Sequence, residues 1–181
     1  MKNSIQKGIL VAVTVALGLA GQVLVARASE TVRLKITAPF VEFTALDKGN
    51  CDLTPLFLRP MAGQPVCIAT YGQLYTASGD MTGEIFVEIT TAWFPDGSLV
   101  FTDYETWAGT IPGHGTGSFT LLEYDGVSKA DGSYTSKLRL VDKTGTGDFE
   151  GVTGRGSSRG NGGTSPGINT LTLTFPEHKH H

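Results

Sequence analysis

From Glu30 onward the chain alternates instead of turning with a helical period. Short segments rich in Val, Ile, Thr, Tyr and Phe set apolar and polar side chains at every second position. The clearest are VRLKITAPF (32–40), GEIFVEITTAWF (83–94), SLVFTDYETWAG (98–109), GSFTLLEYDG (117–126), SYTSKLRLV (133–141) and NTLTLTF (169–175). Weaker candidates are Val41 to Leu46, Val66 to Tyr71 and Asp148 to Thr153. Gly, Asp-Gly or Pro-Asp-Gly interrupts the pattern every ten or so residues, and Pro95-Asp96-Gly97 is a tight hairpin turn. Eight or nine strands with short links predict an all-β domain. A single closed up-and-down antiparallel barrel of about eight strands leaves no exposed edges, and a two-sheet sandwich is the alternative.

In a barrel the alternation decides what lines the interior. One face of the 84–94 strand carries Ile85, Val87, Ile89, Thr91 and Trp93, and the other Glu84, Phe86, Glu88, Thr90 and Ala92. On the next strand the faces are Leu99, Phe101, Asp103, Glu105 and Trp107 against Val100, Thr102, Tyr104, Thr106 and Ala108. Acid and aromatic residues therefore share a face. An interior carboxyl against aromatic walls has its ionisation disfavoured and can exchange a proton with a ligand, which marks Glu105 and Glu88 as candidate acid or base groups. Trp93, Phe101, Tyr104, Trp107 and Phe119 are the candidate ligand-gripping aromatics. The alternative leaves the acids in solvent or hydrogen-bonded to a neighbour.

The stretch TGTGDFEGVTGRGSSRGNGG (144–163) holds eight glycines. A phosphate cradle needs a strand before such glycines and a helix after them, and SSRGNGGTSPG cannot propagate a helix. The glycines are assigned to bends, bulges and close strand crossings, with Phe149 and Val152 inward.

The first 28 residues stand apart. Lys2 and Lys7 precede an apolar run, Gly8 to Ala26, that closes on Ala26-Arg27-Ala28, the pattern of a cleaved secretory signal; an uncleaved anchor is the alternative. The expected organisation is a signal helix at 1–28, a barrel domain at 29–175 and a flexible tail at 176–181, in a secreted or periplasmic protein. Cleavage leaves 153 residues with 11 basic and 17 acidic side chains, a net charge of −6. That balance argues against nucleic acid and against stable membrane insertion after cleavage. In an oxidising compartment Cys51 and Cys67 are expected to pair, closing a loop with three prolines, a closure worth about 3 kcal/mol.

From Gly79 to Phe175, the ordered motifs GDMTGEIFVEI, PDGSLVFTDYETWAG, GTGSFTLLEYDG, GTGDFEGVTGRG and NTLTLTF resemble the bacterial family known as domain of unknown function 3224. The matching positions are Gly79, Asp80, Gly83, Glu88, Asp96, Gly97, Phe101, Glu105, Gly117, Phe119, Gly145, Gly147, Gly151 and Gly154. The resemblance implies a small avidin-like or calycin-like barrel, related in shape to allene oxide cyclase and dirigent barrels. It implies no particular activity. The leader, the cysteine pair and a longer first third depart from the family pattern.

No nucleophile elbow is present, and His114 is expected in a glycine-rich link. His178, His180 and His181 in the tail have no second ligand set beside them, so neither a metal nor a cofactor is expected. The leading expectation is an exported barrel that binds a small, mainly apolar molecule. A cofactor-independent cyclase or isomerase using Glu105 or Glu88 is the enzymic alternative, and a packed structural protein the third. Pairing of two barrels through their outer walls is a further expectation.

Overall fold

A computed structural model describes residues 29–46, 65, 67–161 and 165–177. The leader, Cys51 and the histidine tail lie outside the described residues, and with them the expected signal helix and the Cys51–Cys67 pairing. Ten strands form one antiparallel sheet: β1 (Glu30–Ala38), β2 (Phe40–Leu46), β3 (Cys67–Gly79), β4 (Thr82–Trp93), β5 (Leu99–Ile111), β6 (Gly115–Ser128), β7 (Ser133–Leu140), β8 (Thr146–Gly147), β9 (Thr153–Asn161) and β10 (Ser165–Phe175). There is no helix among the described residues.

Eight of these strands close into a barrel in the order β1-β10-β9-β7-β6-β5-β4-β3, and β3 returns to β1. The expected barrel is thus present, and the sandwich alternative is excluded by that return pairing. Closure is brief: only Ile36↔Gly79 and Thr37↔Ser78 pair across it. Asp80 reinforces the join, since its carboxylate accepts from the Lys35 amide at 2.7 Å and its own amide donates to the Lys35 carbonyl. β2 follows β1 after Pro39 and continues along β3 from Phe40↔Tyr75 to Leu46↔Tyr71. β8 pairs only with β6.

Alternation fills one half of the barrel. Leu34 and Ile36 of β1, Ile85 and Val87 of β4, Trp107 of β5, Phe119 and Leu121 of β6, Leu138 and Leu140 of β7 and Leu171 and Leu173 of β10 are all buried inward. Beneath them, the tight turns between β8 and β9 drive Phe149 into the end of the barrel, where its ring meets Phe119 at 5.8 Å and Phe175 at 6.0 Å. Burying each such side chain contributes roughly 1.5–3 kcal/mol, and together they seal this end.

Two elements differ from the sequence reading. Of Asp148 to Thr153, expected as a strand, only Thr153 is extended; the residues before it form the turn that carries this plug, held by Phe149 N–H to the Thr146 carbonyl and Val152 N–H to the Phe149 carbonyl. The strand lies in the glycine-rich TGRGSSRGN, where the sequence suggests bends and crossings. Its ladder to β7 on one side and β10 on the other supplies what its side chains do not. Short side chains are what the position demands: a Cβ on Gly160 would lie 2.6 Å from the Tyr134 ring, and one on Gly167 in β10 would collide with the Tyr134 hydroxyl. Gly167→Ala is therefore expected to cost about 1 kcal/mol in urea unfolding, the low end for overpacking, because the atom in the way is the tip of the Tyr134 side chain. Adding Tyr134→Phe, which removes the colliding oxygen, should recover part of that loss; no recovery would show that the strain lies elsewhere.

Candidate functional site

The other half of the barrel is hollow. A cavity of about 180 Å³ is walled by Tyr71 and Tyr75 of β3, Ile85, Val87, Ile89 and Thr91 of β4, and Leu99 and Phe101 of β5. Tyr134 of β7 completes the wall, its ring edge-on to Phe101 with centroids 6.0 Å apart. Leu99, Ser128 and Tyr134 are half-buried and ring the outer end, while Val87 and Glu105 are buried deeper.

The floor is polar because of register. Asp103 faces Glu123 across β5 and β6, Ser136 faces Ser158 across β7 and β9, and Ser158 faces Asn169 across β9 and β10. With Glu105 and Thr91 these are the buried polar side chains among the described residues. They form one girdle between the apolar plug and the aromatic wall. Glu105 accepts a hydrogen bond from Trp107 Nε1 at 2.8 Å. Glu123 accepts from the Ser136 hydroxyl. Both oxygens of Asp103 and Oδ1 of Asn169 are buried without a partner in the protein.

The electrostatics follow from burial. Desolvation, followed by the charges of Glu105 and Glu123, pushes Asp103 up to about 12. Desolvation likewise holds Glu105 well above the usual carboxylate range, against the smaller opposing effect of the Trp107 N–H. Burial raises Tyr71, Tyr75 and Tyr134 as well. The cup is therefore a wall of neutral hydroxyls and aromatic rings above two carboxyls, Asp103 and Glu105, that resist ionisation.

Of the sequence candidates, the structure brings Phe101 and Glu105 to the cavity. Trp107 and Phe119 lie below it in the packed half, stacked at 6.0 Å. Trp107 reaches the site only by holding Glu105. Trp93 stands exposed at the end of β4, its Nε1 donating to Thr91 at 3.1 Å. Glu88 and Tyr104 are directed to the outer face and exposed, away from the cup. Sequence reasoning passed over Glu123, Ser136, Ser158 and Asn169. One signal was available for Glu123: it continues the face of Phe119 and Leu121, both buried, so an acid there had to be interior.

The family model described as Protein of unknown function (DUF3224) matches residues 63–168. A search of curated proteins gives no match. Among solved structures, the crystal structure of a protein of unknown function from the DUF3224 family of Shewanella oneidensis MR-1 superposes with a TM-score of 0.56 at 18% identity. The alignment covers 83% of this chain and 99% of that one, and at this identity the likeness is one of fold.

Proposed function

The chain belongs to the DUF3224 family, and from the geometry of its cup we propose that it is an exported barrel that binds a small, mainly apolar molecule whose polar end rests on the acidic floor. The observation that carries this reading is the hollow itself. A protein selected only for a packed core has no reason to leave 180 Å³ between Phe101, Tyr75 and Tyr134, above an Asp103 carboxyl and an Asn169 amide oxygen that lack partners. The volume lies below the roughly 300–1,000 Å³ of pockets for drug-sized ligands, which sets the ligand at on the order of ten non-hydrogen atoms. Export rests on the leader read from the sequence.

1-Naphthol, a flat ring system with a single hydroxyl, is a suitable probe. Binding is expected to quench or shift its fluorescence at one site per chain, and Phe101→Ala to weaken it by roughly tenfold, the worth of one aromatic contact. A folded protein that ignores the probe, or a Phe101→Ala variant that binds it as well as the parent, would defeat the proposal. Mass spectrometry of an organic extract of protein purified from its native compartment then identifies the natural ligand. An isomerase of the cyclase kind would draw on the same floor through Glu105, the sequence candidate that faces the cavity. If a Glu105→Gln variant holds the extracted ligand chemically unchanged while the parent converts it, the enzymic reading gains the field.

A further inference from the structure

Asp103, Glu105 and Glu123 bring three carboxylates to one point, one oxygen from each lying within 4.8 Å of the other two. No base answers them. Every Lys and Arg among the described residues is exposed, and the ion pair of Lys137 with Asp125 lies on the outer surface. A fourth acceptor faces the same cavity: Asn169, 3% exposed, has an amide oxygen without a donor. Native interiors rarely leave such atoms unpaired. Trp107 and Ser136 each satisfy one oxygen of Glu105 and Glu123, while both oxygens of Asp103 and that of Asn169 are left as acceptors with no donor.

We propose that the floor of the cup binds a hard divalent cation of calcium's size through Asp103, Glu105, Glu123 and the amide oxygen of Asn169. This deepens the reading of the cup by placing an ion beneath the organic ligand. The donor set is all oxygen, which selects calcium, magnesium or manganese over softer metals. Size then decides among these. Calcium–oxygen distances of about 2.3–2.6 Å separate opposite ligands by about 4.6–5.2 Å, whereas magnesium at about 2.0–2.1 Å draws them to about 4.0–4.2 Å. Oxygens that lie within 4.8 Å of one another can be drawn onto one ion by side-chain movement alone, and calcium's flexible shell tolerates such an irregular set better than magnesium's strict octahedron. Trp107 and Ser136 hold Glu105 and Glu123 from behind, as partners of metal-binding carboxylates do. The cavity above leaves room for water or a ligand hydroxyl to complete the coordination.

The test is calorimetric titration of the EDTA-stripped protein with calcium chloride and, separately, magnesium chloride. One calcium per chain is expected, bound more tightly than magnesium, with a higher unfolding midpoint in calcium than in EDTA. Asp103→Asn and Asn169→Ala should each weaken calcium by roughly tenfold or more, since even groups that only orient a ligand are worth roughly 10–100-fold. Circular dichroism establishes that each variant is folded. A folded parent that takes up no calcium overturns the proposal. So does calcium binding undiminished in both variants, or magnesium bound more tightly. Calcium binding in a protein that ignores 1-naphthol removes the organic-ligand reading and leaves the ion; the converse result does the opposite.

Discussion

Asp103→Asn is expected to make the EDTA-treated protein more stable at pH 8, by about 2–4 kcal/mol, although it removes a group from the functional floor. The carboxyl titrates near 3.9 in an unfolded chain and at about 12 in the folded one, the shift arising mainly from desolvation. A folded value above the unfolded one means that the stability contributed by the neutral acid is complete below about pH 4. It drains as pH rises, at up to about 1.4 kcal/mol per pH unit, until the folded group itself ionises. Glu105, also raised, adds to the same slope. The other titratable groups facing Asp103 are Glu123 and Tyr71, Tyr75 and Tyr134, and none supplies positive charge. Asp96 and Asp131 in the surface turns are shifted the other way by Ser98 and Ser133, so their contributions are complete by about pH 5. The window from pH 5 to pH 8 thus reports on the interior. Urea unfolding in EDTA at pH 5, 6, 7 and 8 should show the parent weakening across the series and the variant weakening less. Parallel slopes would mean that Asp103 ionises freely. A residue that costs stability in the empty protein is retained for what it binds.

Trp107→Ala carries the second large effect, a loss of about 3–5 kcal/mol. The indole is fully buried, stacks on Phe119 and spends its one N–H on Glu105. Trp107→Phe separates packing from hydrogen bonding. It keeps an aromatic ring on Phe119 but leaves Glu105 Oε2 unpaired, for an expected loss of about 1–2 kcal/mol. Without the indole N–H, which lowers its pKa, Glu105 resists ionisation still more, and the pH slope just described should steepen. Trp93 remains as the fluorescent reporter in both variants. Equal losses from the alanine and phenylalanine substitutions would show that the N–H, not the ring, carries the contribution.

Much of the barrel could be read from the chain because a half-buried strand writes its two environments into alternate residues. Ile85, Val87 and Ile89 declare the inner face of β4, and Phe101, Glu105 and Trp107 that of β5. The same rule puts Glu88 with Phe86 on the outside. The girdle was harder to see because it is a property of register. Ser158 and Asn169 are ordinary polar residues within their own strands, and nothing local says that the ladder sets them side by side across from two acids. β9 was illegible for a related reason. Its TGRGSSRGN has no apolar face to announce, and it is extended because β7 and β10 need a thin strand between them that leaves space for Tyr134, Leu171 and Leu173.

The short join between β1 and β3 has a mechanical consequence. Two residue pairs, the carboxylate and amide of Asp80 and the Ser78 hydroxyl hold it, while β4 and β5 share twelve pairs, so it is the seam of the barrel wall with the fewest paired residues. Yet Pro39 alone separates β1 from β2, and β2 keeps its grip on β3. Edges that parted at this seam would stay within reach of each other, joined by a tether one residue long.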